Sequence, residues 1–291
     1  GLDYETDFYL AYSPERVFSG RIFADLRTYP KLVGGINDQS TQRAITFYES
    51  VLDFDDRPDL DQPNGVWNLG KSEAAEMAKL IETTYRNVNI ALANEFAIHA
   101  EELSIDIGNV IQASNSQPFS HIHNPGVAVG GHCIPVYPKF YLSTHENASL
   151  PQAAISVNES MPIRAVEQLK RSFGNDVAKK RVAILGAAYR GGVKETAFSG
   201  VFSLVTQIAH NGWDPLVHDP LYTDTELIEL GFQPFTLGES CDAAIIQTDH
   251  EAYKRITSKD LPDAQYLYDG RRILSQNQIK PITLLQLGSG Q

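Results

Sequence analysis

Arg181-Val182-Ala183-Ile184-Leu185-Gly186-Ala187-Ala188-Tyr189-Arg190-Gly191 is the stretch on which the fold turns. Val182–Leu185 is apolar at every position, as a strand buried on both faces of a parallel sheet requires, and a glycine-containing turn follows it directly. A helical pattern over about 198–211 comes next, and further strands are expected at 214–218, 243–247 and 266–269. Together they predict a small doubly wound α/β sheet. The turn Gly186–Gly191 is a degraded dinucleotide fingerprint, with Ala188 where the second glycine stands. It supports a phosphate-bearing ligand at a helix N-terminus. Asp219 closes the next strand, further on than the roughly 20 residues expected of a ribose-binding acid.

Upstream lies the longest periodic segment. Ala74, Ala78, Ile81, Tyr85, Val88, Leu92 and Phe96 step by three or four, predicting a helix from Ser72 to about residue 103. Glu73 and Glu76 sit in its first turn, where the helix dipole favours anions. At roughly 1.5 Å per residue it spans about 45 Å, more than one domain needs, so it is expected to join two domains and to pack on a partner subunit. Lys79, Thr83, Arg86 and Asn87 continue along one polar face of it, which either lines a cleft or is simply solvated. Before it, 7–12 reads as a buried strand, Lys31–Gly35 as a second, 40–52 as a helix, 58–65 as a polar break and 66–69 as a short strand. Sheets seldom start six residues into a chain, so this part is expected to be the tail of a domain whose first half lies outside the sequence.

Composition narrows the class. The 291 residues are 42% hydrophobic and 21% charged, ordinary for a globular α/β protein. A formal net charge of −12 disfavours nucleic acid, which needs clustered Lys and Arg. Without any apolar run near 18 residues no membrane span is expected. Two cysteines in a chain this size fit a reducing cytoplasm better than a disulfide framework.

One of the two is a candidate nucleophile. Gly130-Gly131-His132-Cys133 places a thiol after two glycines, which let a ligand approach closely, and Pro138 is well placed to start a helix over 138–144. A thiol ahead of a helix and beside an imidazole is placed for a lowered pKa, the condition for nucleophilic attack. The competing interpretation is a buried structural cysteine. A metal site is not expected, because His121, His123, His132 and Cys133 lack ligand spacing.

Taken together, four ordered blocks resemble the UDP-glucose/GDP-mannose dehydrogenase family, and within it the enzymes that act on UDP-N-acetylhexosamines. They are Tyr12-Ser13-Pro14-Glu15-Arg16-Val17; Pro30–Gly35; Ala75–Glu82 with Tyr85–Glu95; and Pro125-Gly126 with Val129–Val136, and the resemblance makes the turn at 186–191 a UDP-sugar site. The resemblance implies a remnant of a Rossmann NAD domain over 1–70, a central helical domain over 71–178, and a C-terminal Rossmann-like UDP-sugar-binding domain over 179–291. It implies a cytoplasmic homodimer joined through the helix 72–104, with NAD bound mostly in the missing N-terminal region and this fragment inactive by itself. The implied reaction is a four-electron oxidation of the sugar C6 alcohol to a uronate for polysaccharide biosynthesis. Cys133 would capture the aldehyde as a thiohemiacetal and carry it on as a thioester. Lys79 would stabilise developing negative charge, Glu15 would activate water, and Thr83 stands where the family usually has Asn to hold water or oxyanion. Arg86, Asn87, Asn124, Gly130, Gly131, His132, Phe140, Tyr141, Tyr189 and Arg190 would line the nucleotide sugar. Ala128, Tyr137 and Ala197 also depart from the family's usual glycine, aspartate and arginine. Two alternatives remain: a non-catalytic nucleotide-sugar binding module, and a small dehydrogenase with NAD at Gly186–Gly191.

Overall fold

A computed structural model describes residues 1–4, 6–176 and 178–289. The chain divides into two compact units, Gly1–Thr83 and Thr84–Gln291.

The first unit holds β1 (Ala11–Tyr12), α1 (Ile22–Thr28), β2 (Lys31–Gly35), α2 (Asp38–Val51) and β3 (Val66–Lys71). β2 is the central strand, antiparallel to β1 and parallel to β3. All five of its residues are buried. Asn37 caps α2 by accepting the Ser40 N–H at 2.8 Å. The strand expected over 7–12 shrinks to Ala11–Tyr12, because Phe8, Tyr9 and Leu10 are exposed and have no apolar face to fill. The helix α1 was not expected.

The helix α3 (Ser72–Glu102) runs across the boundary between the units. Its apolar stripe lies outside: Ile81, Tyr85, Leu92 and Phe96 are exposed, while Ala75, Lys79, Thr83, Asn87, Asn94 and Ala97 are buried. The buried face is therefore made of small and polar residues, the reverse of a usual amphipathic helix.

The second unit continues with α4 (Ile107–Ser114), α5 (Tyr137–Thr144), α6 (Ser149–Phe173), β4 (Arg181–Leu185), α7 (Gly200–His210), β5 (Asp214–His218), α8 (Asp224–Glu229), β6 (Ala243–Ile246), β7 (Tyr266–Asp269), α9 (Gln276–Ile279) and β8 (Thr283–Gln286). Its five strands are all parallel, in the order β5-β4-β6-β7-β8. This doubly wound order reverses direction between β4 and β6, and such sheets bind ligands outside the carboxyl ends of the strands at that point. The expected sheet lacked β8, which Pro281 conceals in the sequence. Ser199 caps α7 through the Val201 N–H, and Val201, Leu204 and Ile208 bury one face of that helix in a core shared with Leu169 of α6 and Ile184 of β4.

Candidate active site

In the first unit Glu15, Lys31 and Lys79 converge. The Lys79 ammonium, buried to 5% exposure, donates to the Glu15 backbone carbonyl. Lys31 Nζ lies 3.5 Å from the Glu15 carboxylate, which is otherwise open to solvent. Thr83 sits one turn beyond Lys79 and donates its hydroxyl proton to the Lys79 carbonyl at 2.8 Å, leaving its oxygen able to accept from a bound water. Arg16 pairs with Glu82 at 2.5 Å.

In the second unit the Cys133 loop hangs from α3 and α6 by asparagines. Asn89 bonds the His121 carbonyl at 2.8 Å and the His123 N–H at 2.9 Å. Asn94 accepts the Gly126 N–H at 2.9 Å and donates to Asn158 at 2.9 Å; Asn158 donates to the Asn87 carbonyl at 3.0 Å. Asn87 in turn donates to the Ile134 carbonyl at 3.3 Å, next to Cys133. Buried amides of this kind are stable only when each finds partners. After Cys133 the chain closes directly into α5, with the Tyr137 N–H donating to the Cys133 carbonyl at 2.9 Å.

The loop lies flat on the turn after β4. A Cβ on Gly130 would sit 2.6 Å from the Tyr189 Cβ, and one on Gly131, whose φ is +93°, 3.0 Å from the Tyr189 ring, so only glycine permits this approach. The Gly131 N–H donates to Ala197 at 2.8 Å. Arg190 lies over the Tyr189 ring at 5.9 Å. The fold thus brings together Cys133, Gly130, Gly131, Tyr189 and Arg190, with Asn87 behind them. His132 is exposed and lies 3.5 Å from Glu195. Asn124 and Phe140 are exposed; Phe140 packs on Tyr137, and Tyr141 on His145. Arg86 faces His123, whose pKa is lowered by burial and by that charge.

Cys133 is half-buried, whereas Cys241 is sealed in the core and burial pushes its thiol up to about 12. Of the two, Cys133 is the one a ligand can reach. Against the loop residues Ala128, Val129 and Pro135 lies a cavity of about 360 Å³, walled by Asn158 and Pro162 of α6 and by Phe198.

The sequence did not single out Arg271. Its side chain follows β7, donates to the Gln247 carbonyl at 2.6 Å and rests against Gly126. Burial lowers its pKa, while Asp249 and Asp269 oppose that shift. The signal was Asp269-Gly270-Arg271-Arg272 directly after a strand, where an α/β sheet places ligand contacts.

A half-buried thiol on a glycine loop, seated on the switch-point turn of a parallel sheet, marks an α/β protein with a candidate site at the carboxyl ends of its strands. The family is settled by comparison. Residues 73–161 match the central domain of the UDP-glucose/GDP-mannose dehydrogenase family, and residues 183–276 its UDP binding domain. A UDP-N-acetyl-D-mannosamine dehydrogenase of Methanocaldococcus jannaschii is 33% identical over 96% of the chain and 62% of its own length. One of Pyrococcus horikoshii is 32% identical over 100% of the chain and 67% of its own length. A solved structure of a UDP-D-ManNAc dehydrogenase from Pyrococcus horikoshii superposes with a TM-score of 0.82 at 30% identity, covering 98% of this chain and 66% of that one. The chain belongs to the UDP-glucose/GDP-mannose dehydrogenase family. It spans about 62% of the length of the first of these relatives.

Proposed function

We propose that the protein to which these residues belong oxidises a UDP-N-acetylhexosamine, with UDP-N-acetylmannosamine the preferred substrate, to its uronate. The observation that carries the proposal is the Cys133 loop seated on the Tyr189–Arg190 turn. The relatives named above supply the choice of sugar.

NAD, when bound, would accept the hydride in both oxidations. Cys133 adds as thiolate to the C6 aldehyde, forming a carbon–sulfur bond that retains the intermediate. Lys79 places positive charge for the oxygen that becomes anionic on addition. After the second oxidation water attacks the thioester carbonyl, Glu15 takes its proton, and the Cys133 thiolate leaves. Arg190, Arg271 and Tyr189 hold the nucleotide end, with Asn87, Gly130, Gly131 and His132 shaping the loop. Residues 1–70, 71–178 and 179–291 serve as NAD-domain portion, central domain and UDP-sugar domain, and the protein works in the cytoplasm. Loss of the Cys133 thiol should abolish NADH formation from UDP-N-acetylmannosamine while leaving UDP binding intact. Sustained turnover by Cys133→Ala would sink the covalent route, and UDP binding without turnover in the intact protein would favour a binding module.

The exposed stripe of α3 supports a homodimer, because large apolar side chains in a row mark an interface. Phe96→Glu should halve the mass seen by light scattering at micromolar concentration; an unchanged mass would remove α3 from the interface.

A further inference from the structure

In a dinucleotide-binding sheet the N–H groups of the turn after the first strand stay open, and the pyrophosphate fills them. In the second unit those donors are already bonded. The Gly186 N–H donates to the His218 carbonyl at 2.7 Å and the Tyr189 N–H to the Glu195 carbonyl at 3.0 Å. The Ala187 and Ala188 N–H groups both donate to one oxygen of Asp219, at 2.8 and 3.0 Å. The Gly191 N–H donates to Asp249 at 2.8 Å and the Gly192 N–H to His250 Nδ1 at 3.2 Å. Thr248 fills the space above Gly186, where a Cβ would sit 2.1 Å from its hydroxyl.

Asp219 is 2% exposed and fully bonded. Its other oxygen accepts the Leu221 N–H at 2.9 Å, and His250 Nε2 lies 3.1 Å from the first. Because His250 Nδ1 accepts from Gly192, the imidazole proton lies on Nε2 and points at the carboxylate. α7 begins only at Gly200, so it does not follow the turn directly along the chain as the helix of a dinucleotide fingerprint does.

We infer that Asp219 is a built-in anion occupying the phosphate cradle of the switch-point turn, so that a nucleotide meets the turn through Tyr189 and Arg190 side chains and not through its backbone. A phosphate at the backbone would have to displace a buried, His-paired carboxylate or sit beside it as a second anion, and the low dielectric of a buried site makes both unfavourable. Asp219 is thereby a positioning residue: it fixes Ala187 and Ala188, hence Tyr189, on which Gly130 and Gly131 rest. This also removes NAD from Gly186–Gly192. The part concerning the nucleotide sugar rests on the function proposed above; the occupied cradle does not.

Amide resonances of the full chain test the inference. Titrated with inorganic phosphate, the wild-type Ala187 and Ala188 signals should stay still, whereas in Asp219→Ala they should move saturably, with formate competing for the same site. Formate should also restore UDP affinity that the substitution lowers by about tenfold or more. Movement of the wild-type signals with phosphate, or a folded Asp219→Ala protein that responds to neither anion, would overturn the inference. Should Asp219→Ala fail to fold, Asp219→Asn decides by hydrogen exchange: protection should fall about tenfold or more at Ala187 and Ala188 but not at Ile184, and equal protection at all three overturns it. A wild type that binds no UDP refutes the nucleotide-sugar reading alone, because the amide result stands without UDP.

Discussion

Asp219 is a buried carboxylate whose hydrogen-bond partners favour its ionised form. Burial raises its pKa, but the His250 hydrogen bond and the Ala188 and Leu221 N–H groups prevail and hold it below the ordinary 3.8. A carboxyl with a depressed folded pKa stabilises the fold above its unfolded pKa, and that stabilisation is lost as pH falls through the folded one. At neutral pH Asp219→Asn should therefore cost roughly 2 kcal/mol, the value of a charge-assisted hydrogen bond set. The gap in urea midpoint between wild type and variant should close as pH drops below 3.8. A gap that persists unchanged in acid would mean that the side chain acts by shape and not by charge. From its place in the sequence this residue reads only as a misplaced ribose ligand, since a carboxylate folding back onto a turn leaves the same letter as one reaching a sugar.

Among the elements, the Asn87–Asn94–Asn158 chain does what a hydrophobic core does elsewhere: it fixes the Cys133 loop at both ends, at Gly126 and at Ile134. Asn94→Ala leaves the Gly126 N–H and the Asn158 Oδ1 without these partners in a buried setting. Each orphaned group costs roughly 1–3 kcal/mol, so the melting temperature should fall by roughly 5–15 °C. Asn89→Ala, on a less buried residue, should lower it less; equal losses would show that burial of the relay is not what matters. Legibility followed the same line. Strands and helices that bury one repeating pattern, β2, β4, α2 and α7, could be read from spacing. α3 could be read too, though its apolar stripe marks the exposed face and its chemistry rides on the buried one. Short elements without a period, α1, α4 and α8, could not. Tyr189 and Cys133 were each visible, but the seating of Gly130 and Gly131 on Tyr189 depends on tertiary packing that no local pattern records.

For the whole molecule, a net charge of −12 opposes an anionic ligand, so binding must come from a few local cations. Arg190 lies stacked on Tyr189, and Arg271 is bonded to Gln247 between Asp249 and Asp269, so both are held in place before any ligand arrives. Such preorganisation reduces the ordering a ligand must impose. With the backbone donors of the turn already bonded, the proposed function assigns the phosphates to these side chains. UDP at about 100 times its Kd should then stabilise the chain by about 2.7 kcal/mol, raising its melting temperature by roughly 5–11 °C. In Arg190→Ala, loss of a charged hydrogen-bond donor should weaken UDP about 10- to 100-fold, shrinking the stabilisation at the same concentration to roughly 0.4–1.4 kcal/mol. An equal shift in both proteins would place the diphosphate away from the turn. Stabilisation of wild type by NADH with movement of the Ala187 and Ala188 amides would mean that the Asp219 carboxylate yields to a pyrophosphate after all.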